Sequence, residues 1–375
     1  MIENKFVVFA VDHFSSLGVI RCLGEAGIRP DVILFSVHKP KLVQYSKYIA
    51  VLHHVRSLEE GYKCLVDEYV NESTKPFVLA TSDEVESCLD LHYDELKDKF
   101  YFYHAQEQGR VTKMMQKHVI VEMAKRCGLR IPKTEIVSRG ESSKMLKFPI
   151  LTKAPTSTIH NWKNNVFICH NEDELQEAYK HIKCEKVLLQ EYIEKQDELN
   201  VEGFCIDGGE AYFTLQNRFH RITNKSYGNY LYIEKYSYPE LEQAIRRLFR
   251  ETHYSGVFEL EFMIGKDGKC YFLEINFRNS AWLYAYSKCG QPLLIMWAKS
   301  VLCNKIITED ENIRKLPFNL MDEITDFKWS VMSGIVSPFT WLKECLGSDC
   351  HFYYNKQDSR PFYMYLWNRF WGLLK

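Results

Sequence analysis

The stretch Tyr254–Ser280, YSGVFELEFMIGKDGKCYFLEINFRNS, divides into two apolar runs, VFELEFMI and CYFLEINF, around Lys266-Asp267-Gly268-Lys269. Asp-Gly between such runs is a strong short-range hairpin signal, because the tight turn needs a residue at ease with positive φ. Side chains on a strand alternate faces. Glu274, Asn276 and Arg278 therefore share one face while Leu273, Ile275 and Phe277 take the other. Glu259 and Glu261 also share a face, and antiparallel pairing across the turn brings one of them opposite Glu274. Two carboxylates, a carboxamide and a guanidinium then converge. Hard oxygen donors of this kind suit Mg²⁺, which takes one or two carboxylates together with substrate phosphates, while Arg grips phosphate oxygens. The ordinary alternative is a sheet with one solvated polar face. Against it, both strands are rich in Phe, Leu, Ile and Val, as buried strands are.

Around this hairpin lies a chain of 375 residues, long enough for a sizeable core and for two or three domains. The formal net charge of -1, with Lys and Arg scattered, gives no electrostatic reason to expect a nucleic-acid partner. Twelve cysteines occur without a C-x-x-C pair or a recurring spacing. They read as reduced thiols of a cytoplasmic protein rather than a zinc or disulfide framework. The N-terminus MIENKFVVFAV lacks the basic and long apolar regions of a signal peptide. No segment reaches the ~20 apolar residues of a membrane-spanning helix.

Phe6–Val11 reads as a buried strand, followed by a polar turn and a helical pattern through Leu17, Ile20, Leu23 and Ala26. Gly27 ends that helix, and the next strand is expected over residues 31–37. Ser15 and Ser16 are expected to cap the helix; the alternative is that its N-terminus faces a substrate anion. Phe77–Ala80 is a further strand, and Thr81-Ser82-Asp83-Glu84 opens a helix. Repeated strand and helix predict a parallel three-layer α/β domain over roughly the first hundred residues. There is no G-x-G-x-x-G, so a dinucleotide site is not expected.

The pattern predicts one helix over residues 106–128, a strand over 148–154, another over 186–193, and a second hairpin pairing 204–206 with 211–216. Lys113 on the first helix reads as solvated surface and Lys153 as a cation among apolar neighbours that needs a partner. Arg218 and His220 follow a strand; the histidine reads as structural, with acid or base the alternative.

Glu261 followed by Glu274, Asn276 and Arg278 in LEINFR resembles the metal-binding E and E-x-N-x-R of the ATP-grasp superfamily. RCLGEAGI, YSKYIA and ATSDEVESCL are similar to D-aspartate ligases and related carboxylate-amine ligases. The resemblance implies a pre-ATP-grasp α/β domain over 1–105, a two-lobed ATP-grasp domain over 106–310 with a lid lobe at about 145–190, and a C-terminal extension over 311–375. It implies that Glu261, Glu274 and Asn276 hold Mg²⁺, with Mn²⁺ an alternative, and that Arg278 steadies the phosphoryl group in transit. By the same resemblance Lys113 and Lys153 contact nucleotide phosphates, Glu191 and the backbone of Tyr192 and Ile193 read adenine, and Glu198 bonds the ribose hydroxyls. Arg218 is the candidate for an additional anion contact. In a lid without glycine between Gly140 and Gly203, Thr156, Ser157, Thr158 and Lys163 are the donors expected to face the phosphates.

The implied reaction activates a substrate carboxylate as an acyl phosphate and joins it to an amine, with ADP and phosphate released. Both substrates are small molecules, amino acids among the candidates. Two alternatives stay open: a nucleotide-binding regulatory or scaffold protein, and an enzyme that releases an acyl or carbamoyl phosphate. Oligomeric state is left open, a homo-oligomer included. The apolar end PFYMYLWNRFWGLLK is expected to pack on the body as a helix, a partner or membrane surface being the other reading.

Overall fold

The computed structural model describes residues 2–153, 166–206, 208–222 and 228–373. The first sheet contains β1 (Phe6–Val11), β2 (Asp31–Phe35), β3 (Leu52–Val55) and β4 (Phe77–Ala80) in the order β3-β2-β1-β4, all parallel. Phe6 to Ala10 are all buried, as parallel strands covered by crossover helices must be. Gly61 on the helix Leu58–Tyr69 lets that helix lie against the sheet, since a Cβ there would come within 2.2 Å of the Phe9 ring. The second strand stops at Phe35, before the expected Val37, which is exposed.

The expected helix over 106–128 is two. Arg110–Met114 follows Gly109, at φ 75°, and Gln116 adopts extended ψ before Lys117–Arg126 begins. Asp90 fixes the first piece by accepting from the Thr112 backbone N–H at 2.8 Å and from its hydroxyl at 2.7 Å. The break itself lies at Gln116, whose extended backbone ends the single rod.

A small lobe is built from β5 (Thr134–Ser138), β6 (Ile150–Lys153), β7 (Ile168–Cys169) and β8 (Lys186–Glu191), ordered β5-β8-β6-β7 and antiparallel. The helix Glu172–His181 covers it. Ile150, Leu175, Val187 and Leu189 form a core separate from that of the rest of the chain. A lobe with its own core is free to move as a unit.

The largest sheet takes β9 (Lys195–Ile206), β10 (Glu210–Tyr212), β11 (Leu215–Arg221), β12 (Tyr230–Lys235), β13 (Gly256–Gly265), β14 (Cys270–Asn276), β15 (Phe318–Met321) and β16 (Cys350–His351). Its order is β14-β13-β9-β11-β12-β15-β16, with β10 pairing β9. The expected hairpin over 204–216 is only partly formed: β10 ends at Tyr212, and the chain then starts a separate strand at Leu215. β15 and β16 come from the C-terminal segment, which therefore extends the sheet through these two strands. The final helix, Arg360–Leu373, turns Phe362 and Tyr365 onto the core while Tyr363 and Leu366 stay partly or largely exposed. No helix among the described residues is long and apolar enough to cross a membrane.

Candidate functional site

The β13–β14 hairpin closes as its sequence requires. Gly268 sits at φ 75°, its N–H donates to the Gly265 carbonyl at 2.9 Å, and Asp267 Oδ1 accepts from the Lys269 N–H at 3.1 Å. Pairing places Glu259 opposite Asn276 and Glu261 opposite Glu274. On the other side, β9 sets Glu202 opposite Glu259 and Asn200 opposite Glu261. Directly paired residues of antiparallel strands share a face, so three adjacent strands present one polar surface. Asn276 Nδ2 bridges Glu259 and Glu261, donating at 3.0 Å to each. Asn200 Nδ2 donates to Glu259 at 3.1 Å and Trp282 Nε1 donates to the same carboxylate at 3.0 Å.

This surface is short of positive charge. Burial, then the Glu259 carboxylate, pushes Glu202 well above the usual carboxylate range; Glu259 is raised by burial as well. Glu261 is pushed up to about 9 by burial and by the charges of Glu259, Glu274 and Glu198. Glu202 is fully buried, bonds Ser280 Oγ through one oxygen, and leaves Oε2 without a partner among the described residues. Crowded, desolvated carboxylates that prefer a proton are a site to which a hard cation brings the missing charge. Glu261, Glu274 and Asn276 fit Mg²⁺ as oxygen donors. Among the described residues no three His, Cys, Asp or Glu side chains form a protein-only cage, and Mg²⁺ commonly leaves its remaining positions to water and phosphate.

Glu198, Glu261, Glu274, Asn276 and Arg278 line one cleft of about 870 Å³. Its opposite wall is the end of the parallel sheet, where His13 and Ser15 follow β1 and Ser82 and Asp83 follow β4. Arg278 crosses between the two, its Nε donating to Asp83 at 2.6 Å. His13, not Ser15 or Ser16, is the N-cap of the helix Phe14–Glu25: its ring accepts from the Ser15 N–H at 3.3 Å. Ser16 is instead buried, bonded to the Thr81 hydroxyl at 2.7 Å.

Lys153, at the end of β6, donates to Gln190 at 2.7 Å. Burial and the Lys117 ammonium bring it down to about 8, against the pull of Glu274. Lys117 is the residue that sequence reasoning missed. It opens the helix Lys117–Arg126 and its Nζ lies 3.5 Å from Glu274, whereas Lys113 sits exposed on the preceding helix with no side-chain bond to the acidic face among the described residues. Arg218 needs correction too. It pairs with Leu199 on β9, on the face opposite Glu198 and Asn200, and its guanidinium is engaged by Asp197 at 3.0 Å through Nε. The parity of β11 therefore turns it away from the cleft. His220 shares a hydrogen bond at 2.8 Å with Asn319 and stacks on Tyr230.

Glu191, Tyr192 and Ile193 lie between the lobes and not in the cleft lining. Glu191 accepts from the Lys133 N–H at 3.2 Å, and the Tyr192 N–H donates to the Pro149 carbonyl at 3.3 Å. Glu198 is held by Lys195. Asn200 and Glu202 were foreshadowed by the alternation ELNVE, the same period-two signal that marked β14. Thr156, Ser157, Thr158 and Lys163 lie outside the described residues.

No protein-family model and no curated relative matches the sequence. Solved structures do match. The L-amino acid ligase of Bacillus licheniformis is 14% identical with a TM-score of 0.59, over 84% of this chain and 79% of that one. An N5-carboxyaminoimidazole ribonucleotide synthetase, solved as its ADP complex, is 15% identical with a TM-score of 0.62, over 88% of this chain and 85% of that one. The biotin carboxylase domain of Hydrogenobacter thermophilus 2-oxoglutarate carboxylase, in complex with MgADP and bicarbonate, is 18% identical with a TM-score of 0.59, over 84% and 73%. With a parallel N-terminal sheet, a small antiparallel lobe and a large sheet carrying the acidic hairpin, the chain has the ATP-grasp fold.

Proposed function

We propose that the protein is an ATP-dependent carboxylate-amine ligase. The observation that carries this reading is the oxygen-rich face of Glu261, Glu274 and Asn276 in one cleft with Arg278, flanked by Lys117 and Lys153. The similar fold of an L-amino acid ligase and of ADP-bound synthetases supports it.

Glu261, Glu274 and Asn276 would hold Mg²⁺, which when bound neutralises phosphate charge and polarises the γ-phosphoryl group. Lys153 and Lys117 supply ammonium groups to the phosphate oxygens. Arg278, positioned by Asp83, offsets the charge that develops as a substrate carboxylate attacks the γ-phosphorus and ADP leaves. Glu191 accepts from the adenine amino group beside the backbone of Tyr192 and Ile193, and Glu198 accepts from the ribose hydroxyls. The amine, in its neutral form after its ammonium proton has left to solvent, then attacks the acyl carbon; the C–N bond forms and the C–O bond to phosphate breaks, phosphate taking the electron pair and the proton that the amide nitrogen loses. Closure of the small lobe excludes water, which otherwise hydrolyses the acyl phosphate.

The test is ADP release from MgATP in the presence of pooled carboxylic acids and amines, with product mass spectrometry. Ligation predicts one product whose mass equals acid plus amine minus water. Nucleotide binding without turnover in any pool points to a regulatory protein, and a released acyl or carbamoyl phosphate to the third reading; either outcome refutes the ligase.

A further inference from the structure

One end of the cleft is walled by rings, among them Trp282, whose Nε1 bonds Glu259 of the hairpin. Phe14, Phe219, Trp282 and Trp329 line it, with Asp322 and Asn229 between them. The rings are firmly backed: Phe14 and Trp282 both pack on the buried Phe352, each with ring centroids 5.1 Å apart, and Phe219 meets Trp282 edge-on at 6.3 Å. Gly228 allows Phe219 to lie across the chain, since a Cβ there would be 1.6 Å from its ring.

Three acids stand close in sequence here, and among the described residues two of them are bonded by backbone N–H groups or by an arginine. Glu323 accepts from the backbone N–H groups of Phe352, Tyr353 and Tyr354. Asp326 is paired with Arg221. Asp322 caps the short helix Glu323–Asp326, accepting from the Thr325 N–H at 3.0 Å through Oδ1 and bonded by the Thr325 side chain as well; it lines the cleft and has no cationic side chain bonded to it among the described residues. It is 3% exposed, and burial pushes it up to about 6, so it is a desolvated carboxylate still ionised at neutral pH. Such a group calls for a positive partner. Beside it Asn229 is 6% exposed and its Nδ2 has no partner among the described residues. Its carbonyl accepts from the Asp322 N–H at 2.8 Å, which ties the two residues together.

We propose that this end of the cleft binds the amine substrate as a primary ammonium carried on an apolar or aromatic body. Asp322 receives the ammonium, Asn229 Nδ2 donates to an acceptor on the same molecule, and Phe14, Phe219, Trp282 and Trp329 enclose the body. Aromatic faces favour a cation as well as an apolar surface, so the wall and the acid select the same ligand class. This assignment rests on the ligase reading, and it places the amine in a compartment to which the C-terminal segment contributes Asp322 and Trp329.

Two tryptophans in the wall make intrinsic fluorescence of the full chain the readout. 2-Phenylethylamine should change it saturably, and 3-phenylpropionate, with the same body and the opposite charge, should not. Asp322→Asn, which keeps the oxygen that accepts from Thr325, should weaken the amine at least tenfold. MgADP binding by calorimetry, on the same preparation, should stay as in the wild type. An equal response to both probes, no response to either, or unchanged amine affinity in D322N overturns the proposal. Wild-type protein that selects the amine but does not bind MgADP overturns the ligase reading, and with it the substrate role.

Discussion

Glu261 concentrates the electrostatics of the site. Its folded-state proton affinity, raised to about 9, exceeds that of an unfolded carboxyl, so the folded protein holds a proton that the unfolded chain releases. The stability this contributes is complete below the ordinary carboxylate range and is lost as pH rises towards about 9. Without divalent metal, Glu261→Gln should therefore melt at a higher temperature than wild type at pH 8, by about 2 °C for roughly 1 kcal/mol. The two curves should converge near pH 4. A calorimetric pH series checks both the sign and the window. Glu274 is half-exposed, so Glu274→Gln should keep the wild-type fold while ADP release falls at least a hundredfold; an active variant contradicts its assignment. These residues were legible because a strand's period of two places Glu274, Asn276 and Arg278 on one face. Lys117 was not, since no period relates a helix N-terminus to a distant hairpin. Arg218 was misplaced for want of strand parity: its strand's phase shows only once Asn217 is seen opposite Asn200.

At the scale of elements, β9 is the strand on which the site depends. It pairs with β13, β11 and β10, and it carries Glu198, Asn200 and Glu202 on the cleft face. Gly203 is the point of closest approach: a Cβ there would lie 2.1 Å from the Tyr212 carbonyl oxygen. Backbone cannot swing aside as a side-chain tip can. Gly203→Ala should cost about 3 kcal/mol by the ordinary toll of overpacking, measurable by urea unfolding, and a variant as stable as wild type contradicts this packing. The strand itself was legible only in pieces. Its first half reads as a polar turn after β8, and only the ELNVE alternation, with the same period of two as β14, marks its second half. The broken helix over 106–128 escapes notice in the same way, for apolar spacing continues through Met115 while the extended backbone of Gln116 interrupts the rod.

At the scale of the whole molecule, the C-terminal segment joins the ends of the chain. Arg21, wholly buried on the first helix, donates to Asp358 at 3.1 Å and to the carbonyls of Phe352 and Tyr353 at 2.9 Å. Asp358 also accepts from Ser46 and the Lys47 N–H at 2.9 Å. Removing one partner leaves a buried charge alone, so Asp358→Ala should destabilise the protein by about 3–5 kcal/mol in urea unfolding. The N-terminal parallel sheet was legible from its strand and helix alternation. This long-range tie was not, because a buried ion pair between residues so far apart leaves no local pattern. The arrangement converges on one claim, that the β13–β14 hairpin and β9 form the floor of a nucleotide and metal site. A crystal structure of the protein with Mg²⁺ and a non-hydrolysable ATP analogue tests it most directly. The account predicts metal density shared by Glu261, Glu274 and Asn276, with Lys153, Lys117 and Arg278 on the phosphate oxygens. Metal bound away from those three residues, or a nucleotide outside the cleft, contradicts it.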